Sequence, residues 1–123
     1  MPRILLVEDD ELVRTMIRVF LEEEGHEVFE ASDGKQMREE FDPPPDLIIT
    51  DVLMPSVDGL ELIMQVRRRD PKIKILAVSG GGQIRGETYL SIAQRLGAQH
   101  TLAKPFTRWA FLAAVRLALE SEE

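Results

Sequence analysis

The sequence predicts an α/β fold: five βα units in succession forming an open parallel sheet with helices on both faces. Two observations carry this expectation. Short apolar runs alternate with longer stretches of helical spacing. Several of the runs are apolar nearly throughout, as parallel strands covered on both sides must be. Alternating βα units in turn imply right-handed crossovers.

The expected strands are Ile4 to Val7, Val28 to Ala31, Leu47 to Thr50, Ile73 to Val78 and Thr101 to Ala103. Between the first two, Leu12, Val13, Met16, Ile17, Val19 and Phe20 recur at helical spacing, and Gly25 supplies a left-handed stop. Asp33 followed by Gln36 resembles a capping box opening a short second helix, which Pro43-Pro44-Pro45 must end. A third helix starts near Asp58-Gly59, with Asp58 as its cap, and runs through Leu60, Ile63, Met64 and Arg67 to Asp70-Pro71. A fourth carries Tyr89, Ile92, Ala93 and Leu96 on one face before Gly97, and a fifth begins after Thr107 and buries Phe111, Val115 and Leu119. No linker, repeat or low-complexity tract interrupts the pattern, so residues 1–123 are expected to be one domain with no effector domain.

Composition narrows the function classes. With 44% hydrophobic and 30% charged residues the balance is globular. No apolar run approaches the roughly 20 residues that cross a bilayer, so membrane insertion is not expected. The first hydrophobic stretch directly follows Met1-Pro2-Arg3, which leaves no room for a signal peptide. The absence of cysteine excludes disulfide and thiol chemistry and fits a cytoplasmic location. A net charge of -7 argues against direct nucleic-acid binding. The run Arg67-Arg68-Arg69 does not reverse this, being read as solvated cations that complement a helix dipole.

In open parallel sheets ligands bind beyond the carboxyl ends of the strands. Glu8, Asp9 and Asp10 follow the first strand and Asp51 follows the third. If these strands are neighbours, their carboxylates converge and repel unless a cation sits between them. Hard oxygen ligands of this kind suit magnesium. The competing reading is an acidic first helical turn from Glu8 to Glu11. Within the metal reading the pair is Glu8-Asp9, with Asp10 as a helix cap, the alternative pair being Asp9-Asp10. Ser79 and Lys104 follow the fourth and fifth strands and bring a hydroxyl and an ammonium to the same edge. Carboxylates, a hydroxyl and a lysine at four strand ends are the parts for phosphoryl transfer onto a carboxylate.

In the stretches ILLVEDD (4–10), DLIITDVLMPSVDG (46–59), ILAVSG (75–80) and LAKPF (102–106), the sequence resembles the receiver domains of two-component response regulators, single-domain chemotaxis regulators included. The resemblance covers essentially the whole chain. It implies a flavodoxin-like doubly wound fold with strand order 2-1-3-4-5. Asp51 is then the phosphoryl acceptor, supplied by the phosphohistidine of a sensor histidine kinase or phosphotransfer protein. Mg2+ is held by Asp9, Asp51, the backbone carbonyl of Leu53 and, through water, Glu8. Lys104 neutralises phosphoryl oxygens, and Ser79 hydrogen-bonds the phosphoryl group. Pro55 and Gly59 fit a tight loop below the acceptor, and Pro105 occupies a position where the family has a cis peptide. Such a domain is no enzyme beyond promoting its own phosphorylation and dephosphorylation. It controls a downstream effector protein through its fourth helix, fifth strand and fifth helix.

Three features depart from the pattern. Thr101, preceded by His100, stands where many receivers carry the aromatic residue that reads out the hydroxyl's movement. Gly80-Gly81-Gly82 follows Ser79, and reads either as a loop that closes on the phosphoryl group or as a flexible connector. Trp109 lies off the buried stripe of the fifth helix, where it could anchor a partner or pack under the preceding loop. The rival functions are a docking module that no longer phosphorylates, a magnesium phosphatase and a flavin-binding domain. The phosphatase lacks its general acid because Leu53 stands two positions after Asp51, and no phosphate-cradling first loop supports the flavin.

Overall fold

A computed structural model describes residues 1–52, 59–79 and 83–120, without the side chains of residues 83–89. Five strands, β1 (Arg3–Val7), β2 (Glu27–Ala31), β3 (Leu47–Asp51), β4 (Lys74–Ser79) and β5 (His100–Ala103), form one parallel sheet in the order β2-β1-β3-β4-β5. They alternate with α1 (Glu11–Glu23), α2 (Gly34–Glu39), α3 (Gly59–Arg69), α4 (Gln83–Leu96) and α5 (Arg108–Glu120). The expected fold class and strand order are both present.

Alternation along the strands divides the core in two, because successive side chains point to opposite faces. Leu5, Val7, Ile48, Ile75 and Ala77 pack with Met37, Phe41, Leu62, Ile63, Val66, Leu90 and Ala93 of the α2, α3 and α4 side. Ile4, Leu6, Leu47, Ile49, Leu76 and Val78 pack with Ile17 and Leu21 of α1 and Phe111, Leu112, Val115 and Ala118 of α5. In register, β1 and β3 run together from Ile4↔Leu47 to Val7↔Thr50, which brings Glu8 and Asp51 out at one edge.

Several details correct the sequence reading. On α1, Leu12, Met16 and Val19 face solvent at 83%, 43% and 41% exposure, while Ile17 and Leu21, one turn apart, carry the burial. Apolar residues span more of this helix than the sheet can cover. On α4, Ile92 is exposed and Leu90 is buried beside Ala93; on α3, Met64 is exposed while Leu62 and Val66 join Ile63 in the core. Ile73 precedes β4, since its carbonyl accepts from Arg67 Nη2 and Gln99 Nε2 and so leaves the ladder. Arg67 is thus no solvated cation: it also donates to the carbonyls of Gly97 (3.0 Å) and Asp70 (3.1 Å). The exposed guanidinium of Arg69 lies over the Phe41 ring at 4.3 Å.

The stops and caps follow their chemistry. Gly25 and Gly97 adopt φ of 89° and 129°, the left-handed region open to glycine. Gln36 N donates to Asp33 Oδ1, and Gln36 Oε1 reaches back one residue further to Ser32 N and Oγ. α2 ends at Glu39, before the prolines.

Candidate functional site

The carboxyl edge of the sheet gathers Glu8 and Asp9 after β1, Asp51 at the end of β3, Ser79 at the end of β4, and Lys104 after β5. Lys104 Nζ lies 2.8 Å from Asp51 Oδ2 and 3.1 Å from Glu8 Oε1. The lysine therefore bridges two acids whose parent strands are adjacent. Glu8 and Asp51 are both buried, at 3% and 7% exposure, so neither charge is well served by water and each needs a partner. The Lys104–Pro105 peptide bond is cis, and Lys104 N donates to Ser79 O at 2.8 Å.

Charge in the site is unbalanced. Burial pushes the Glu8 carboxyl up to about 7; Lys104 pulls it down, and the nearby Asp51 carboxylate adds to the rise. Burial acts to lower the Lys104 pKa, but its hydrogen bond and attraction to Asp51, joined by Glu8, more than offset this and raise it. Among the described residues two buried carboxylates thus share the Lys104 ammonium, and a further cation would add to the positive charge they face.

Asp9, half-buried, makes no side-chain hydrogen bond or ion pair among the described residues. Asp10 is the cap of α1, its Oδ1 accepting from Leu12 N (3.0 Å) and Val13 N (3.2 Å). Capping by Asp10 leaves Glu8 and Asp9 as the acids of this stretch not engaged by α1. Ser79 Oγ is buried with no hydrogen-bond partner among the described residues. Among those residues no three acidic or imidazole side chains form a complete metal cage. A cation held by these acids would complete its shell from carbonyl and water oxygens, the habit of magnesium.

Leu53, Pro55 and Gly80 lie outside the described residues, as do Asp58, Gly81 and Gly82; Gly59 opens α3. His100 and Thr101 sit half-buried on β5, paired with Leu76 and Ala77. Trp109 is 77% exposed, so it does not pack under the loop before α5. Arg14 is a site neighbour that sequence patterning did not single out: its Nη1 donates to the Glu8 carbonyl at 2.8 Å. Its one visible signal is a cation in an otherwise acidic entry to α1, where the helix dipole disfavours it.

Comparison with known proteins bears on the family and the fold. Residues 4–116 match the response regulator receiver domain family. A probable transcriptional regulatory protein of Picosynechococcus is 37% identical over 98% of this chain and 50% of its own length. The alkaline phosphatase synthesis transcriptional regulatory protein PhoP of Bacillus subtilis is 32% identical over 98% of this chain and 50% of its own length. The chain thus spans about half the length of these curated relatives. The chemotaxis protein CheY of Listeria monocytogenes is 33% identical over 86% of this chain and 88% of its own. Among solved structures, the receiver domain of NtrX from Brucella abortus superposes with a TM-score of 0.89 at 29% identity, covering 97% of this chain and 99% of that one. No described helix is long and apolar enough to cross a membrane. With its strand order, its clustered acids and lysine, and these matches in agreement, the chain belongs to the response regulator receiver domain family of two-component systems.

Proposed function

We propose that this chain accepts a phosphoryl group on Asp51 from the phosphohistidine of a sensor kinase or phosphotransfer protein, and thereby changes its surface toward an effector protein in the cytoplasm. The observation that carries the reading is the position of Lys104 Nζ between Asp51 and Glu8. An ammonium there pairs with the acceptor carboxylate and stands ready for the oxygens of an incoming phosphoryl group.

Asp9, Asp51 and the Leu53 carbonyl would hold Mg2+, with Glu8 acting through water. Bound there, the ion supplies positive charge to the carboxylates and to the phosphoryl oxygens. A carboxylate oxygen of Asp51 attacks phosphorus; the new O–P bond forms as the P–N bond breaks, and the electron pair leaves with the imidazole. Lys104 moves its attention from Asp51 to a phosphoryl oxygen. Ser79 Oγ, buried and without an acceptor among the described residues, donates to another. These contacts exist only in the phosphorylated state, so they bias the domain toward it. Ser79 and Lys104 lie at the base of α4, β5 and α5, which makes those elements the route outward. His100, Thr101 and the exposed Trp109 lie on or beside that route.

Incubation with Mg2+ and acetyl phosphate, read by intact mass, is expected to add one phosphoryl group to the native chain and none to Asp51→Asn. Equal labelling of that variant would overturn the acceptor assignment.

A further inference from the structure

We infer that Arg14 is a positioning residue for the metal-binding acids, acting through the Glu8 carbonyl. This rests on the magnesium site proposed above.

Glu8 is the first residue past the β1 ladder. Its N–H still bonds to Ala31 O at 3.0 Å, but the β1 pairings with both neighbours end at Val7. Its carbonyl therefore has no strand partner, although the residue is buried. Arg14 Nη1 supplies the missing donor at 2.8 Å from one turn inside α1. The guanidinium is itself anchored: its Nε lies 3.4 Å from Glu30 Oε1 on β2, and the Arg14 side chain is 18% exposed. Arg18 Nη1 holds the other oxygen of Glu30 at 2.8 Å. One planar fork thus ties α1, β2 and the acid loop together, as arginine's geometry allows and lysine's does not.

The peptide group is planar, so fixing the Glu8 carbonyl fixes the plane that leads into Asp9. Asp9 makes no side-chain bond of its own among the described residues. The plane from which its Cα departs is therefore set by the Glu8 carbonyl rather than by any bond of its own. Removing groups that orient metal ligands typically weakens metal binding by about 10- to 100-fold. The charge of Arg14 works the other way, since a cation near the site repels Mg2+. Position and charge thus predict opposite signs for the same substitution.

Magnesium titration by calorimetry of the native chain, Arg14→Met and Arg14→Lys separates them, with thermal unfolding confirming the fold of each. Arg14→Met keeps the stem and loses donors and charge; its Mg2+ dissociation constant is expected to rise about tenfold. Arg14→Lys keeps the charge and can still offer a single donor to the Glu8 carbonyl without the fork, so it is expected to fall between the two. In the metal-free proteins, the Asp9 and Asp10 amide resonances should shift in Arg14→Met more than in Arg14→Lys. Unchanged or tighter binding by Arg14→Met would overturn the inference, and if that variant does not fold, Arg14→Lys binding as tightly as the native chain would do so. A native chain that binds no Mg2+ would instead overturn the magnesium reading on which the inference stands.

Discussion

The two halves of the site are built to different degrees of completion. Around Glu8 every polar atom is engaged: the N–H by Ala31, the carbonyl by Arg14, Oε2 by the Asp10 N–H and Oε1 by Lys104. At Ser79 the backbone carbonyl is engaged by Lys104, but the hydroxyl has no partner among the described residues. The difference follows from what each group costs to leave alone. An unpaired buried carboxylate is far more expensive than an unmade hydroxyl bond. A resting receiver can therefore keep its donor in waiting but cannot keep its charges so.

Breaking the charged half should have the largest effect. Lys104→Met preserves the stem and leaves two buried carboxylates facing each other, a change expected to cost about 3 kcal/mol in urea unfolding at neutral pH without magnesium. Stability equal to the native chain would mean that the acids do not depend on the ammonium. An intermediate effect should appear in the pH dependence. The folded-state Glu8 carboxyl sits near 7 against an ordinary 4.5. Between those values the folded chain binds more protons than the unfolded one, so metal-free stability falls as pH rises from about 4.5 through about 7. Glu8→Gln should flatten that fall, and an unaltered slope would assign it to another group.

The smallest effect belongs to the open half. Ser79→Ala removes a hydroxyl that has no partner among the described residues, so unfolding stability should stay within about 0.5 kcal/mol of native. A loss of about 2 kcal/mol would mean the hydroxyl is already bonded in the resting chain. A surface control sharpens the contrast: Leu12→Ser, at 83% exposure, should be equally silent in unfolding, whereas Ile17→Ala on the opposite side of α1 should cost about 3 kcal/mol.

Strand order and the convergence of Asp51, Glu8 and Lys104 were legible because apolar runs and strand-end acids are local signals, and the family motifs fixed the order. What escaped the sequence depended on contacts that periodicity does not encode. Whether Leu12 or Ile17 faces the sheet is decided by where α1 sits, not by spacing that both satisfy. Arg67 looks like one of three solvated cations until Gly97, Asp70 and Ile73 turn their carbonyls toward it. Arg14 is likewise six residues from the carbonyl it serves, across a change from strand to helix. The Ser79 hydroxyl could be placed from sequence, but not its lack of a partner among the described residues, which depends on what packs around it.

The backbone bond from Lys104 N to Ser79 O gears the hydroxyl and the lysine to one another. Ser79 pairs with Ala103, the residue before Lys104, so a shift of either main chain would drag the neighbouring strand along. The Ser79 hydroxyl can still swing about its own χ1 among three staggered wells without disturbing that pairing. The cheapest first response to a phosphoryl group is therefore a single torsion, with β4 and β5 standing still beneath it.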